Sequence, residues 1–185
     1  MHNHGSSGTR AATAAALTTD GLQVLLNGRA GPAPICKEVA GSFRVRLTEI
    51  ALLHLDNKVL RFLFPQELKT MGIIPLSSPS IAAHTALSGE PETFNNFADV
   101  KHASVFETVR LGSSAESPVQ LAIQKMMSAP VLDENHNVLG VLQISRKGLD
   151  LSSSGPDFTA EDVKLLLAAA KVLSKAPFLQ SALKK

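Results

Sequence analysis

Residues 124–147, QKMMSAPVLDENHNVLGVLQISRK, restrict the fold more than any other stretch of the chain. Two apolar segments, residues 126–132 and 138–145, flank the polar pentapeptide DENHN. Asp and Asn side chains bond nearby backbone amides, so this polar break predicts a turn between two antiparallel strands. The second arm is apolar on both faces and carries Gly140 between Leu139 and Val141. A near-continuous apolar strand is covered on both sides, and a glycine within it marks a close approach by another backbone. The rest of the chain must therefore cover both surfaces of a sheet.

A second hairpin is expected from residues 48–56 and 58–64, turning at Asp56-Asn57 and ended by Pro65, with one helical turn over 66–70. Its His54 and Asp56 share a strand face and read as an exposed pair. Residues 80–89, SIAAHTALSG, predict a compact helix with Ser80 as cap and Gly89 as left-handed stop. A short extended piece follows near residues 93–95. Residues 98–109 are helical or irregular, 111–117 form a polar loop, and 119–125 are a helix or strand entry to the main hairpin.

Before the sheet, Asp20 caps a short helix stopped by Gly28 or Gly31. Pro32 and Pro34 open a second helix reaching about Phe43, with Ile35, Val39 and Phe43 on one face. After the sheet, Thr159 and Asp162 form a reciprocal cap for a long helix ended by Pro177. Its Val163, Leu166, Ala170 and Leu173 trace a heptad-like seam, beside a stripe of Leu165, Ala169 and Val172. One stripe can cover the sheet while the other meets a partner helix.

A chain of 185 residues predicts one domain with tails: a Gly-, Ser-, Ala- and Thr-rich tail at 1–19, a domain at 20–176, and a tail at 177–185. The formal charge of +2, with no basic block before Lys184-Lys185, argues against nucleic acid or an anionic membrane as partner. No run approaches the roughly 18 apolar residues of a membrane span, and the N-terminus lacks a leader pattern. Cys36 is the single cysteine, which excludes an intrachain disulfide and fits a reducing, cytoplasmic compartment. His2 and His4 beside Gly5 read as idle rather than metal-binding. Phosphate loops, nucleophile elbows and paired histidines at helical metal spacing are all missing, so no enzyme chemistry is expected, and the sequence leaves any cofactor unknown.

Three motifs resemble the GAF domain, a small-molecule sensory module: SIAAHTALSGEP at 80–91, SAPVLDENHNVLGVLQISRK at 128–147 and FTAEDVKLLLAAAKVL at 158–173. With the first hairpin, the resemblance extends over roughly residues 33–175. It implies an α+β fold in α/β/α layers, with a GAF-like or profilin-like central antiparallel sheet. The terminal helices would pack on one face, and residues 75–125 would roof a ligand pocket on the other. The residues agree, since that middle is long and loop-rich, with clustered polar and aromatic side chains.

The candidate ligand-binding residues are Phe94, Asn95, Phe97, His102, Phe106, Glu107 and Arg110, with Gln143 on the central strand. The phenylalanines can stack on a flat ligand or plug the core beneath a lid; the polar groups can bind ligand or face solvent. Gln143 stands in an apolar strand and needs a partner, which a ligand or the roof would supply. His84 is read as hydrogen-bonded within the fold, with the pocket as the other reading. Met126 and Met127 are adaptable filler.

Some GAF proteins resemble methionine sulfoxide reductases, whose chemistry needs attacking and resolving thiols near the pocket. Cys36 stands alone and away from it, and the middle holds no cysteine for bilin attachment. The expected function is a sensory module that binds a small molecule and signals through its terminal helices. Residues 20–43 and 159–176 would pair in a homodimer. With no output segment after Lys185, such a module would belong to a longer regulator or act through a separate partner. The alternative is a dimerisation or protein-interaction module without ligand.

Overall fold

The hairpin that dominates the sequence lies at the centre of an antiparallel sheet. The computed structural model describes residues 19–70, 72–97 and 121–180. Among these the strands are β1 (Ile50–Asp56), β2 (Val59–Phe64), β3 (Ile73–Pro75), β4 (Glu92–Phe94), β5 (Ala122–Leu132) and β6 (Val138–Gly148). Their order across the sheet is β3-β2-β1-β6-β5-β4. Residues 122–125 belong to β5, so the approach to the main hairpin is strand rather than helix. At its turn, Asp133 Oδ1 accepts the amides of Asn135 and Asn137, both at 2.8 Å, and His136 adopts a left-handed φ of 61°.

Gly140 pairs with His54 of β1, and a Cβ at this position would overlap the Leu53 carbonyl oxygen. The close approach expected from the sequence is therefore β1 lying against β6. The first hairpin is shorter than its apolar run: residues 47–49 form a 3-10 turn and the strand starts at Ile50. The cause is Glu49. Its carboxylate folds back to accept the Arg46 amide and the Lys147 amide, each at 2.7 Å, and is buried there. Extended backbone at 48–49 would break those bonds.

The helices are α1 (residues 19–27), α2 (Pro32–Phe43), α3 (Ile81–Ser88), α4 (Ala160–Leu173) and α5 (Pro177–Gln180). Asp20 lies inside α1 rather than capping it. The helix stops on Arg29 at a φ of 56°, with Ala30 N–H bonded back to the Leu25 carbonyl. The left-handed residue is thus an arginine rather than Gly28 or Gly31. In α3, Ser80 Oγ accepts the Ala83 amide at 3.1 Å and Gly89 closes the helix at a φ of 68°.

Two cores lie on opposite sides of the sheet. Leu22 of α1, with Ile35, Val39 and Phe43 of α2, joins Leu166, Ala170 and Leu173 of α4 over Leu52, Met127, Leu142 and Ile144. The seam of α4 is therefore spent inside the protomer, and Leu166 faces the sheet rather than a second copy. The Thr159–Asp162 box forms as expected, with Thr159 N–H donating to Asp162 Oδ2 at 2.8 Å and Asp162 N–H to Thr159 Oγ1 at 3.2 Å. The chain stays packed past residue 176, because Leu179 of α5 is fully buried. On the other face, α3 and Phe97 cover a second cluster. Among the described residues, no helix is long and apolar enough to cross a membrane.

Candidate ligand site beneath the lid

Strand alternation sets the floor. Ala51 and Leu53 of β1, Leu60 and Phe62 of β2, Met126 of β5 and Val141 of β6 share one face, covered by Ala82 and Ala86 of α3 and by Phe97. Two residues along from Val141, Gln143 must face the same way. It pairs across the sheet with Ala51 on one side and Ser128 on the other. Gln143 is 5% exposed and Ser128 is fully buried, so both polar side chains sit within a largely apolar floor.

Gln143 Nε2 donates to Ser128 Oγ at 3.2 Å and lies 3.7 Å from Met126 Sδ. Its side-chain carbonyl receives no hydrogen bond among the described residues. Ser128 Oγ lies 2.7 Å from Thr85 Oγ1, which α3 lowers onto the floor, and Thr85 Oγ1 lies 2.9 Å from Glu92 Oε2. Glu92 Oε1 meets His84 Nδ1 at 2.9 Å. Each hydroxyl has one proton. With Glu92 ionised, one consistent direction runs from the Gln143 amide to Ser128, from Ser128 to Thr85, and from Thr85 to the carboxylate. Such a chain satisfies buried groups that would otherwise be costly, and ties the centre of the floor to α3 and β4.

The candidate residues divide. Phe97 is buried in the lid-side core and Phe94 packs against it edge to face, at 6.1 Å between ring centroids and 70° between planes. Both therefore pack over the floor. Asn95 is committed elsewhere: its Oδ1 accepts the Phe158 amide at 2.8 Å and its Nδ2 donates to the Phe158 carbonyl at 3.0 Å. Those two bonds clamp the end of β4 to the segment that enters α4. His102, Phe106, Glu107 and Arg110 lie outside the described residues. Sequence reasoning missed Ser128 and Thr85, whose signal was a small hydroxyl side chain at a core position of a strand and of a helix.

His84 bonds within the fold, but from an exposed position, with its side chain 69% accessible. Asp56 pairs with Arg61 at 3.1 Å rather than with His54. Burial chiefly pushes the His54 pKa below its ordinary 6.5, against the opposing pull of Asp56. Cys36 is fully buried in the helix-side core, across the sheet from the lid, and burial drives its thiol pKa far up. A thiol in that state is a poor nucleophile. Among the described residues, no three His, Cys, Asp or Glu side chains are placed to hold a metal ion.

The chain has known relatives in fold. The family model for the GAF domain matches residues 33–176. The GAF domain of Acinetobacter phosphoenolpyruvate-protein phosphotransferase superimposes with a TM-score of 0.64 at 14% identity, covering 91% of this chain and 96% of that one. The corresponding GAF domain from Coxiella burnetii gives 0.64 at 11% identity, covering 92% and 96%. Free methionine-R-sulfoxide reductase from Neisseria meningitidis, solved with its substrate, gives 0.56 at 13% identity, covering 98% and 96%. No curated protein sequence matches the chain. The lid, the two-faced sheet and the family match over most of its length agree: this chain belongs to the GAF domain family.

Proposed function

We propose that the chain is a sensory module that binds a small molecule between the sheet and the roof formed by residues 75–125, and reports through its terminal helices. The observation that carries this is Gln143, a buried amide in a largely apolar floor whose carbonyl oxygen takes no hydrogen bond among the described residues. A ligand hydroxyl or N–H there would pair that oxygen and pull on the Ser128–Thr85–Glu92 chain, drawing α3 and β4 onto the floor. Asn95 then passes the shift to the entry of α4, because the same short segment carries Phe94, Phe97 and the Phe158 clamp. The change in lid packing is how a ligand biases one arrangement of α4 over another.

The ligand-contact set remains Phe94, Phe97 and Gln143 with His102, Phe106, Glu107 and Arg110, while Asn95 moves from contact to transmission. Homodimerisation runs through residues 20–43 and 159–176, on the outward faces that expose Val24 at 70% and Leu167 at 37%. The module works in the cytoplasm as a binding rather than an enzymatic unit, and its buried Cys36 is poorly placed for a thiol-dependent reductase. The second reading, an interaction module with a filled pocket, draws on Phe62, Phe97 and Met126, each only 2–3% exposed.

Thermal-shift screening against nucleotides, cyclic nucleotides, amino and keto acids and haem tests the proposal. A ligand selective for the native state raises the melting temperature by mass action, by about 2.7 kcal/mol of stability at a hundredfold excess over Kd. The proposal expects such a ligand, and expects Gln143→Leu to abolish the shift. A panel without a hit, or a hit unaffected by Gln143→Leu, supports the filled-pocket reading instead.

A further inference from the structure

Beyond the lid pocket, and independent of it, a groove of ≈ 770 Å³ lies on the opposite, helix-bearing side of the sheet, between the end of α2 and the start of α4. Three guanidinium groups line it, from Arg44, Arg46 and Arg146. We propose that this groove is a second site, which takes a small-molecule oxyanion, a carboxylate or phosphate group, on Arg146.

The argument begins with strand register. Arg146 of β6 stands directly across from Lys125 of β5, and both side chains rise on the helix side. Like charges directly opposite on a sheet repel, so a chain keeps such a pair only where negative charge answers it. Lys125 has its answer: Nζ is 2.8 Å from Asp157 Oδ1 and 2.6 Å from the Gly155 carbonyl. Arg146 has none among the described residues. Its guanidinium lies over the Phe158 ring, 4.8 Å from the centroid, and among those residues its buried Nε has no hydrogen-bond partner. No carboxylate among the described residues reaches ion-pair distance of it.

Three of the four carboxylates that line the groove are already engaged. Glu49 takes the Arg46 guanidinium and two backbone amides. Asp157 takes Lys125, and Asp162 closes the Thr159 cap. Glu161, on the first turn of α4, and the exposed Arg44 also line the groove. Among the described residues Arg146 is thus a groove guanidinium with no carboxylate partner and a buried donor left unpaired. Contact with the Phe158 ring restrains the guanidinium, and a restrained fork is pre-organised to take two oxygens of one anion.

Titration of the ¹⁵N-labelled protein, with amide shifts read in separate arms for inorganic phosphate, succinate and sodium chloride at matched ionic strength, tests the site. The expected result is saturable shifts in residues 44–46 and 153–162 with phosphate or succinate, unmatched by chloride; the stronger arm identifies the acid. Arg146→Gln should weaken that binding about tenfold or more, the order of one charge-assisted contact. Shifts that are linear and reproduced by chloride, that fall on the lid face, or that survive in Arg146→Gln overturn the proposal. Should Arg146→Gln fail to fold, Arg44→Gln at the rim decides. Weaker saturable binding upholds the site, and unchanged binding overturns it.

Discussion

Replacing Asn95 with alanine removes both bonds that hold the Phe158 backbone, at 2.8 and 3.0 Å. Each such bond contributes about 1 kcal/mol net, and an unpaired buried donor or acceptor costs more, roughly 1–3 kcal/mol. Phe158 is only 4% exposed, so water does not readily replace the lost partner. The expected cost is therefore about 2–4 kcal/mol. In a domain of this size that corresponds to a fall of about 5–12 °C in melting temperature. Circular dichroism measures the fall, and native-state hydrogen exchange locates it. Amides of α4 from Val163 onward should lose more protection than those at the centre of the β5–β6 pair, because the helix loses its tether while the sheet keeps its ladder. A fall below about 1 °C, or a loss of protection in α4 no greater than in β5–β6, would refute the idea that Asn95 ties the lid to that helix.

Gly140→Ala should cost at least about 3 kcal/mol, because the new methyl meets the Leu53 backbone, which cannot rotate aside as a side chain would; chemical denaturation measures it, and a cost under about 1 kcal/mol contradicts the register. His54 gives a pH signature. Its folded pKa lies below the ordinary 6.5, so the unfolded chain binds more protons and stability rises with pH. The full contribution is present above about 6.5 and is lost as pH falls through the folded value. His54→Gln should flatten the stability profile across that window relative to wild type, and an unchanged profile contradicts the assignment.

Local signals in the sequence carried the sheet because they are local in the molecule. Asp133, Ser80 with Gly89, and Thr159 with Asp162 all act within a few residues of themselves, and the structure uses each as read. Gly140 was legible because an apolar strand gives a glycine little other reason to be there. Three-residue edge strands such as β3 carry too short a pattern to register. Glu49 was read as strand because its partners at Lys147 are 98 positions away. The α4 stripes were visible, but periodicity does not say which one the sheet takes, and the structure packs Leu166, Ala170 and Leu173 on it. The bonds of Asn95 are illegible in sequence for the same reason: its partner lies 63 residues downstream. Four of the candidate contacts, His102, Phe106, Glu107 and Arg110, lie outside the described residues.

The central claim, that a ligand under the lid is felt at α4, is tested most directly by hydrogen exchange of the protein with and without the strongest stabilising compound from the screen. The account predicts new protection in α3, in β4, around Gln143 and at the start of α4, with the α4 protection lost in Asn95→Ala while the lid protection stays. Protection confined to the helix side of the sheet, or α4 protection undiminished in Asn95→Ala, would contradict it.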